Sequence, residues 1–291
     1  MKLSTMKYFM LSALCIALSN AALAQSAARA NWPKILTLGV IPTDGDEETL
    51  KGFVPLEEYL TQKLGVVVQV KVSKDYASLV SGMKDRMVDL GYFGPASYIS
   101  AVVTAGAETM VKENATVSGT GYYSLIISKT DSGLNSISDL QDKKFALVDS
   151  KSTSGYLVPM VYFLQKANIK PETYFKSVSY TGSHDNSIVA VFKGVVDAAA
   201  VSSLELQKSV AQGQVKNSDF NILWRSDPIP SGTIAAHKTL PPSLKAAVKA
   251  ALLQYRGKTL NYLKLVGFVA SKDSDYDDIR DLEAFRKQLQ K

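Results

Sequence analysis

The chain has 291 residues, of which 46% are hydrophobic and 21% are charged, and its formal net charge is +6. This length can bury one large hydrophobic core or two smaller ones. The charge favours anionic partners, but Lys and Arg are interspersed with Asp and Glu, and the chain has no basic run or RNA-type aromatic motif. Nucleic acid is therefore not an expected partner.

The first 24 residues have the pattern of a cleavable secretory signal. Lys2 and Lys7 precede an apolar run at residues 8–18, and residues 22–24 supply small side chains at the positions that a signal peptidase reads. The run is too short to cross about 30 Å of hydrocarbon. We therefore expect cleavage before Gln25, with residues 1–24 as the signal peptide, rather than a membrane anchor.

The single cysteine, Cys15, lies inside this segment. Leu14 is too bulky for the position before a lipidated cysteine, so lipidation is not expected. After cleavage the chain has no thiol, which fits an oxidising compartment and excludes cysteine catalysis and Cys-based metal sites. We expect a periplasmic protein.

Strands and helices alternate in the first part of the chain, as hydrophobic periodicity indicates. The predicted strands are residues 34–40, 66–72 and 88–93, and the predicted helices are 47–64, 76–83 and 95–103. Such an alternation is typical of a parallel sheet covered by helices.

The same alternation restarts near Tyr122. The predicted strands are 122–127, 144–148, 175–180 and 196–201, and the predicted helices are 138–140, 155–167 and 186–193. They are followed by strands at 221–224 and 233–236 and by a helical tail whose long member is 242–263. Two α/β units predict two lobes, each with a mainly parallel sheet covered by helices.

No low-complexity linker separates the two units, so the chain is expected to cross between the lobes twice, near residues 121–123 and near Trp224. This predicts one lobe from residues 31–122 with 225–291 and a second from 123–224. The two crossings then form the hinge of a closing cleft.

Ligands of open parallel sheets bind beyond the carboxyl ends of the strands. The loops expected to face the site are those after Val40, Val72, Phe93, Val148, Tyr180 and Val201.

The most specific local signal is the run of residues 149–155, which follows a strand and opens a helix. Backbone N–H groups, the helix dipole and the hydroxyls of Ser152, Thr153 and Ser154 can hold an oxyanion there. The alternative is a helix N-cap without a ligand. The run is not a P-loop, because the required Gly and Lys spacing is absent.

Two further strand-to-helix loops face the same edge. Residues 92–98 begin with Tyr92 and Phe93, and Gly94-Pro95 permits a close backbone approach, although an ordinary turn is the alternative. His184, in the loop at 180–186, can donate to an anion or accept its residual proton. No metal site is expected, since the chain has one other histidine and no carboxylate spacing that completes a site.

A hydrolase is the alternative class, because Ser152 or Thr153 with His184 and Asp185 supplies the residue types of a catalytic site. The serines lack a Gly-x-Ser-x-Gly turn, no metal cluster is available, and Asp185 is adjacent in sequence to His184 and poorly placed to orient it. No catalysis and no cofactor are expected.

At these loops the chain resembles the phosphonate and phosphite family of periplasmic substrate-binding proteins of ABC transporters, over essentially the whole mature length. The resemblance rests on Asp75-Tyr76, residues 88–95, 121–124 and 152–159, His184 with Asn186, and Val196-Asp197.

The resemblance implies a two-lobed, type II-like clamp for a small phosphorus oxyanion. The Ser152–Ser154 run and His184 would hold the anion from one lobe, and Tyr76 and Phe93 would close on it from the other; Tyr92 and Tyr122 complete the predicted set. Phe93 stands where relatives carry a tyrosine. The implied partners are a membrane permease and an ATPase, with the protein itself a monomer; a periplasmic sensor with the same clamp is the alternative.

The resemblance also bears on the ligand. Relatives that take amino-terminated phosphonates carry carboxylates in two segments that match Leu204, with Glu205 one position away, and Gly232 here. The implied loss of both acids leads us to expect a ligand without an amine, because a buried ammonium needs a counter-charge. Phosphite or methylphosphonate is expected, and phosphate less so.

The signal-peptide prediction can be tested on exported protein. Intact-mass measurement should give a chain that begins at or near Gln25. A species that keeps residues 1–24, or one that carries a lipid on Cys15, contradicts the prediction.

Overall fold

A computed structural model describes residues 29–43, 45–115 and 118–289 of the chain. The predicted signal peptide lies outside these residues. No helix in the described ranges is both long and apolar enough to span a membrane.

The first lobe is built on a six-stranded sheet in the order β13-β4-β12-β3-β1-β2, numbered along the chain. Its strands are β1 (Ile35–Val40), β2 (Val67–Val72), β3 (Leu90–Phe93), β4 (Ala107–Ala115), β12 (Thr233–His237) and β13 (Leu265–Ala270). Its helices are α1 (Asp46–Leu64), α2 (Tyr76–Lys84), α3 (Pro95–Ala105), α8 (Pro242–Gln254), α9 (Lys258–Tyr262) and α10 (Asp277–Leu289).

The second lobe is built on a five-stranded sheet in the order β10-β6-β9-β7-β8. Its strands are β6 (Ser124–Lys129), β7 (Lys144–Leu147), β8 (Ser177–Tyr180), β9 (Ala198–Ser202) and β10 (Phe220–Arg225). A continuous helix, α4, consists of π-helical turns Thr153–Leu157 and Tyr162–Lys166 on either side of the α-helical turn Val158–Val161. The other helices are α5 (Pro171–Tyr174), α6 (His184–Phe192) and α7 (Ser203–Ala211).

Two short strands join the lobes. β5 (Gly121–Tyr122) and β11 (Ile229–Pro230) pair with each other in antiparallel fashion and belong to neither large sheet. The two-lobed α/β class with two crossings is therefore confirmed. The lobe boundaries at 122/123 and 224/225 stay predictions.

Each sheet is mixed rather than mainly parallel, which corrects the prediction. β1 runs parallel to β2 and β3, whereas β12 runs antiparallel to β3 and β4. In the second sheet β7 runs parallel to β8 and β9, and β6 runs antiparallel to β9 and β10. The reversed strands β6 and β12 enter their sheets from the crossings, so they run against strands that arise from β-α-β units.

The sequence analysis missed β4, α5, α7, β11 and β13. The segment of β4 carries charged residues at Glu108, Lys112 and Glu113, which hides a strand pattern. The predicted helix at 242–263 is two helices, because the chain is extended at Tyr255 and Gly257 is the N-cap of α9. The tail is also not wholly helical, since it contains β13.

Helix α1 shows how the predicted periodicity builds the core. Phe53, Leu56 and Leu60 are fully buried at its inner face. Gly65 ends the helix as predicted, in the left-handed conformation at φ 69°, which a glycine adopts without steric cost.

Two leucines on α1 form a matched test of this packing. Leu56→Ala, at a side chain with 0% exposure, should lower the free energy of unfolding by about 2–5 kcal/mol through lost burial and a cavity. Leu50→Ala, at 40% exposure, should change it by about 0.5 kcal/mol or less. Urea unfolding measures both, and equal losses in the two variants would contradict the assigned helix face.

Candidate ligand-binding site

A cavity with a volume of about 60 Å³ lies between the two lobes. Each of the six predicted loops, or the first turn of the helix after it, contributes to its wall. The lining residues are Ile41, Thr43, Tyr76, Tyr92, Phe93, Gly94, Pro95, Glu113, Tyr122, Ser152, Thr153, Ser154, His184, Ser202, Leu204, Glu205, Gly232 and Leu263. The structure thus brings all eight predicted site residues to one cavity; their contact with a ligand stays a prediction.

The serine and threonine loop is held in place by its own backbone and by the sheet. Ser152 is the N-cap of α4, and its side chain accepts a hydrogen bond from the N–H of Gly155 at 3.1 Å. Ser124 in β6 donates to the carbonyl of Ser154 at 2.6 Å. A Cβ atom on Gly155 would lie 2.4 Å from the side chain of Val148, so glycine permits the close approach of helix and strand.

This loop presents donors to the cavity. The N–H groups in the first turn of a helix lack carbonyl partners within the helix, and the helix dipole makes this end positive. Ser152, Thr153 and Ser154 are buried and line the cavity, so their hydroxyls lie beside those N–H groups. Such an end favours an anion.

Thr153 also connects the lobes. Its Oγ1 accepts a hydrogen bond from the N–H of Ala96, in the first turn of α3, at 2.8 Å. The Thr153 hydroxyl hydrogen is not used by that bond, since the oxygen is the acceptor, and it can be donated to a second group. Thr153 therefore belongs to the predicted anion site and also holds the two lobes together.

His184 is a hydrogen-bond donor to the cavity. Its Nδ1 accepts from the N–H of Ser202 at 3.0 Å, which assigns the proton of the neutral imidazole to Nε2, 3.5 Å from Ser154 Oγ. Burial, with a smaller contribution from the nearby Lys208 ammonium, lowers the pKa of His184 to about 3. The imidazole is therefore neutral at physiological pH, and of the two roles left open by the sequence, the geometry favours donation.

The geometry around His184 is not that of a hydrolase triad. A backbone N–H, not a carboxylate, bonds to Nδ1. The carboxylate of Asp185 accepts instead from the hydroxyl of Ser183 at 2.5 Å. Asp185 therefore does not orient the imidazole.

Aromatic side chains form much of the opposite wall. Tyr76, Phe93 and Tyr122 are buried. Burial raises the pKa of Tyr76 and of Tyr122 well above the ordinary value, so both hydroxyls keep their protons. The Tyr122 hydroxyl lies against the side chains of Ser154 and Thr153.

Tyr92 has a partner that the sequence analysis missed. Its hydroxyl donates a short hydrogen bond to Oε1 of Glu113, and the N–H of Gly232 donates to Oε2 of the same carboxylate at 3.0 Å. Burial raises the pKa of Glu113 to about 7. The sequence signal for Glu113 is an acidic residue inside a strand, and it was not noticed because β4 was not predicted.

A second carboxylate lines the cavity from α7. Glu205 forms an ion pair of 2.8 Å with Lys208, whose side chain is 1% exposed. The Lys208 ammonium lies 4.4 Å from the centre of the Tyr262 ring, which belongs to α9 in the other lobe. This contact, like that of Thr153, joins the two lobes.

Acidic side chains thus line the cavity, although neither of the two matched positions, Leu204 and Gly232, is acidic. Leu204 and Gly232 do line it, but so do Glu205 and Glu113. A Cβ atom on Gly232 would lie 2.9 Å from Oε2 of Glu113, so this carboxylate occupies the space that a side chain at position 232 would need.

Two lobes that enclose a buried, donor-lined cavity define a solute-binding protein of the periplasmic type. A family model described as "ABC transporter, phosphonate, periplasmic substrate-binding protein" matches residues 38–276. The chain belongs to this family, which confirms the resemblance.

The relatives agree with this assignment. The phosphonates-binding periplasmic protein of Escherichia coli is 30% identical over 264 residues, which cover 87% of this chain and 77% of that protein. The phosphate-import protein PhnD of Mycolicibacterium smegmatis is 28% identical over 84% of this chain and 80% of that protein.

Solved structures show the same fold. A binding-protein component of an ABC phosphonate transporter from Pseudomonas aeruginosa has a TM-score of 0.82 and 27% identity, covering 88% of this chain and 87% of its own. PhnD1 from Prochlorococcus marinus, solved with methylphosphonate, has a TM-score of 0.79 and 22% identity, covering 87% and 98%.

The predicted anion-binding residues can be tested by removing single hydrogen-bond donors. Thr153→Ala and His184→Ala should each weaken binding of methylphosphonate or phosphite by about tenfold or more, because a hydrogen bond to a charged group contributes roughly 1.5–3 kcal/mol. Calorimetric titration measures the affinities. Thr173→Ala, at an exposed threonine in α5, is the matched control and should bind as the wild type does. Unchanged affinity in both site variants would show that Thr153 and His184 do not bind the anion.

Proposed function

We propose that this protein captures a small phosphonate or phosphite between its lobes in the periplasm and delivers it to the permease and ATPase of an ABC transporter. The observation that carries the proposal is the convergence of neutral donors on one buried cavity. Ser152, Thr153 and Ser154 offer hydroxyls and His184 offers its Nε2–H. Membership of the phosphonate family supports the same class of ligand.

The donor set suits a tetrahedral oxyanion. A buried anion must be compensated by hydrogen bonds or by a counter-charge. Here the cation beside the cavity, Lys208, is paired with Glu205. Hydrogen bonds from neutral groups must then hold the ligand, and a phosphorus oxyanion has three oxygens for several convergent donors.

The wall also accommodates a non-ionic corner of the ligand. Phe93 lines the cavity with an apolar ring. The P–H bond of phosphite or the P–CH₃ group of methylphosphonate can rest against it without an unsatisfied polar atom. The small volume of about 60 Å³ suits a ligand of few non-hydrogen atoms.

Transport rather than chemistry is the proposed role. The curated relatives carry names of binding and import proteins. His184 lacks a carboxylate on Nδ1, so it is arranged as a donor and not as a catalytic base. The protein would act as a monomer that closes on its ligand and presents the closed form to the permease.

A panel of anions tests the proposal. Phosphite, methylphosphonate, phosphate, 2-aminoethylphosphonate and, as a control, acetate are each added to the mature protein in a thermal-unfolding assay. A ligand at 100 times its dissociation constant stabilises a protein by about 2.7 kcal/mol, which raises the unfolding temperature measurably. We expect this effect with phosphite or methylphosphonate and not with acetate.

Two results would contradict the proposed function. One is the absence of stabilisation by every phosphorus oxyanion in the panel. The other is release of phosphate when the protein is incubated with phosphate esters or phosphonates, which would indicate an enzyme.

A further inference from the structure

An acidic side chain shares the cavity with the anion donors. Glu113 projects from β4, is 5% exposed and lines the same wall as Tyr92. Its Oε1 accepts from the Tyr92 hydroxyl and its Oε2 accepts from the Gly232 N–H at 3.0 Å. The carboxylate is therefore fixed in position rather than able to turn away from a ligand.

The groups that face Glu113 from neighbouring elements do not cancel its charge. They are Tyr92 in β3, Tyr122 in β5, Tyr276 immediately before α10, and Glu205 with Lys208 in α7. The tyrosines are neutral because burial raises the pKa of each. The cation among them, Lys208, forms its ion pair with Glu205.

An ionised Glu113 and an oxyanion in one small cavity repel each other. Two like charges that share a buried site cannot both remain ionised without a large cost, and the carboxylate responds by taking up a proton. The cavity alone already moves Glu113 in this direction, since burial raises its pKa to about 7. A bound oxyanion raises it further.

We propose that Glu113 is a specificity-determining residue that takes up one proton when a phosphonate or phosphite without a cationic group is captured. The inference rests on the proposed function. In this role Glu113 selects the ligand by its charge. A simple oxyanion binds when Glu113 carries a proton, whereas a ligand with an ammonium group binds when Glu113 is ionised.

The proton also changes what Tyr92 can do. While Glu113 is ionised, the Tyr92 hydroxyl donates to it and only accepts elsewhere. When Glu113 is protonated, its O–H donates to the Tyr92 oxygen, and the phenol hydrogen can turn toward a ligand oxygen. The Gly232 N–H keeps its acceptor in both states. One proton thus removes a repulsion and adds a donor.

The affinity for the ligand should decrease as the pH rises. Binding favours the protonated form of Glu113, so affinity is unaffected by this group below its free pKa of about 7 and falls above it. The fall approaches tenfold per pH unit, because one proton is taken up. His184 contributes no change in this range, since its pKa lies at about 3.

Calorimetric titration of the mature protein with methylphosphonate at pH 8, in buffers of different ionisation enthalpy, counts the protons taken up. Glu113→Gln mimics the neutral, protonated side chain, because its amide has an acceptor oxygen and a donor nitrogen. We expect the wild type to take up close to one proton more than this variant, and its affinity to fall several-fold more between pH 7 and pH 8.5. Ionisation of the free ligand is common to both proteins and cancels.

Glu108→Gln is the matched control, because Glu108 lies in the same strand with its side chain 52% exposed. It should behave as the wild type does. Equal proton uptake in the wild type and in Glu113→Gln would overturn the inference and leave the proposed function standing. Failure of every phosphorus oxyanion to bind the wild type would overturn the proposed function first.

A measurement on the wild type covers the case in which Glu113→Gln fails to fold. The infrared difference spectrum of ¹³C-glutamate-labelled protein at pH 8 should gain a protonated carboxyl band when methylphosphonate binds. No such band with bound methylphosphonate would overturn the inference.

Discussion

A negative charge removed from water must receive hydrogen bonds from the groups that enclose it, and in this protein we propose that the first turn of α4 supplies many of them. That turn can approach β7 only because Gly155 has no side chain to meet Val148. Ser124 then ties the loop to β6. Contacts within the protein therefore fix this loop, and such preorganisation lowers the entropic cost of binding.

The same groups connect the two lobes. Thr153 accepts from Ala96 across the cleft, and Lys208 lies over the ring of Tyr262 on the opposite side. Both contacts involve residues at or beside the cavity. We therefore expect cleft closure and ligand binding to depend on the same side chains.

Each ionisable group around the cavity has an identified partner, although the Glu113 charge is not cancelled by a cation. Lys208 pairs with Glu205 in the same helix, and Glu113 receives two hydrogen bonds and has its pKa raised by burial. Neutral donors face this arrangement from Ser154 and His184. We expect such a cavity to discriminate ligands by their charge as well as by their shape, because burial weakens the screening of a surplus charge inside it.

The sequence by itself determined the strand-to-helix loops, the Ser152–Ser154 run and the position of His184, since each depends on local periodicity and capping chemistry. It did not reveal Glu113, whose strand carries too many charged residues to show an apolar pattern. Only the pairing of β4 with β12 brings Glu113 beside Gly232, a residue far away in the chain. The mixed sheets and the cavity's acidic wall were likewise decided by tertiary structure, because strand order and contacts across the cleft depend on residues distant in sequence.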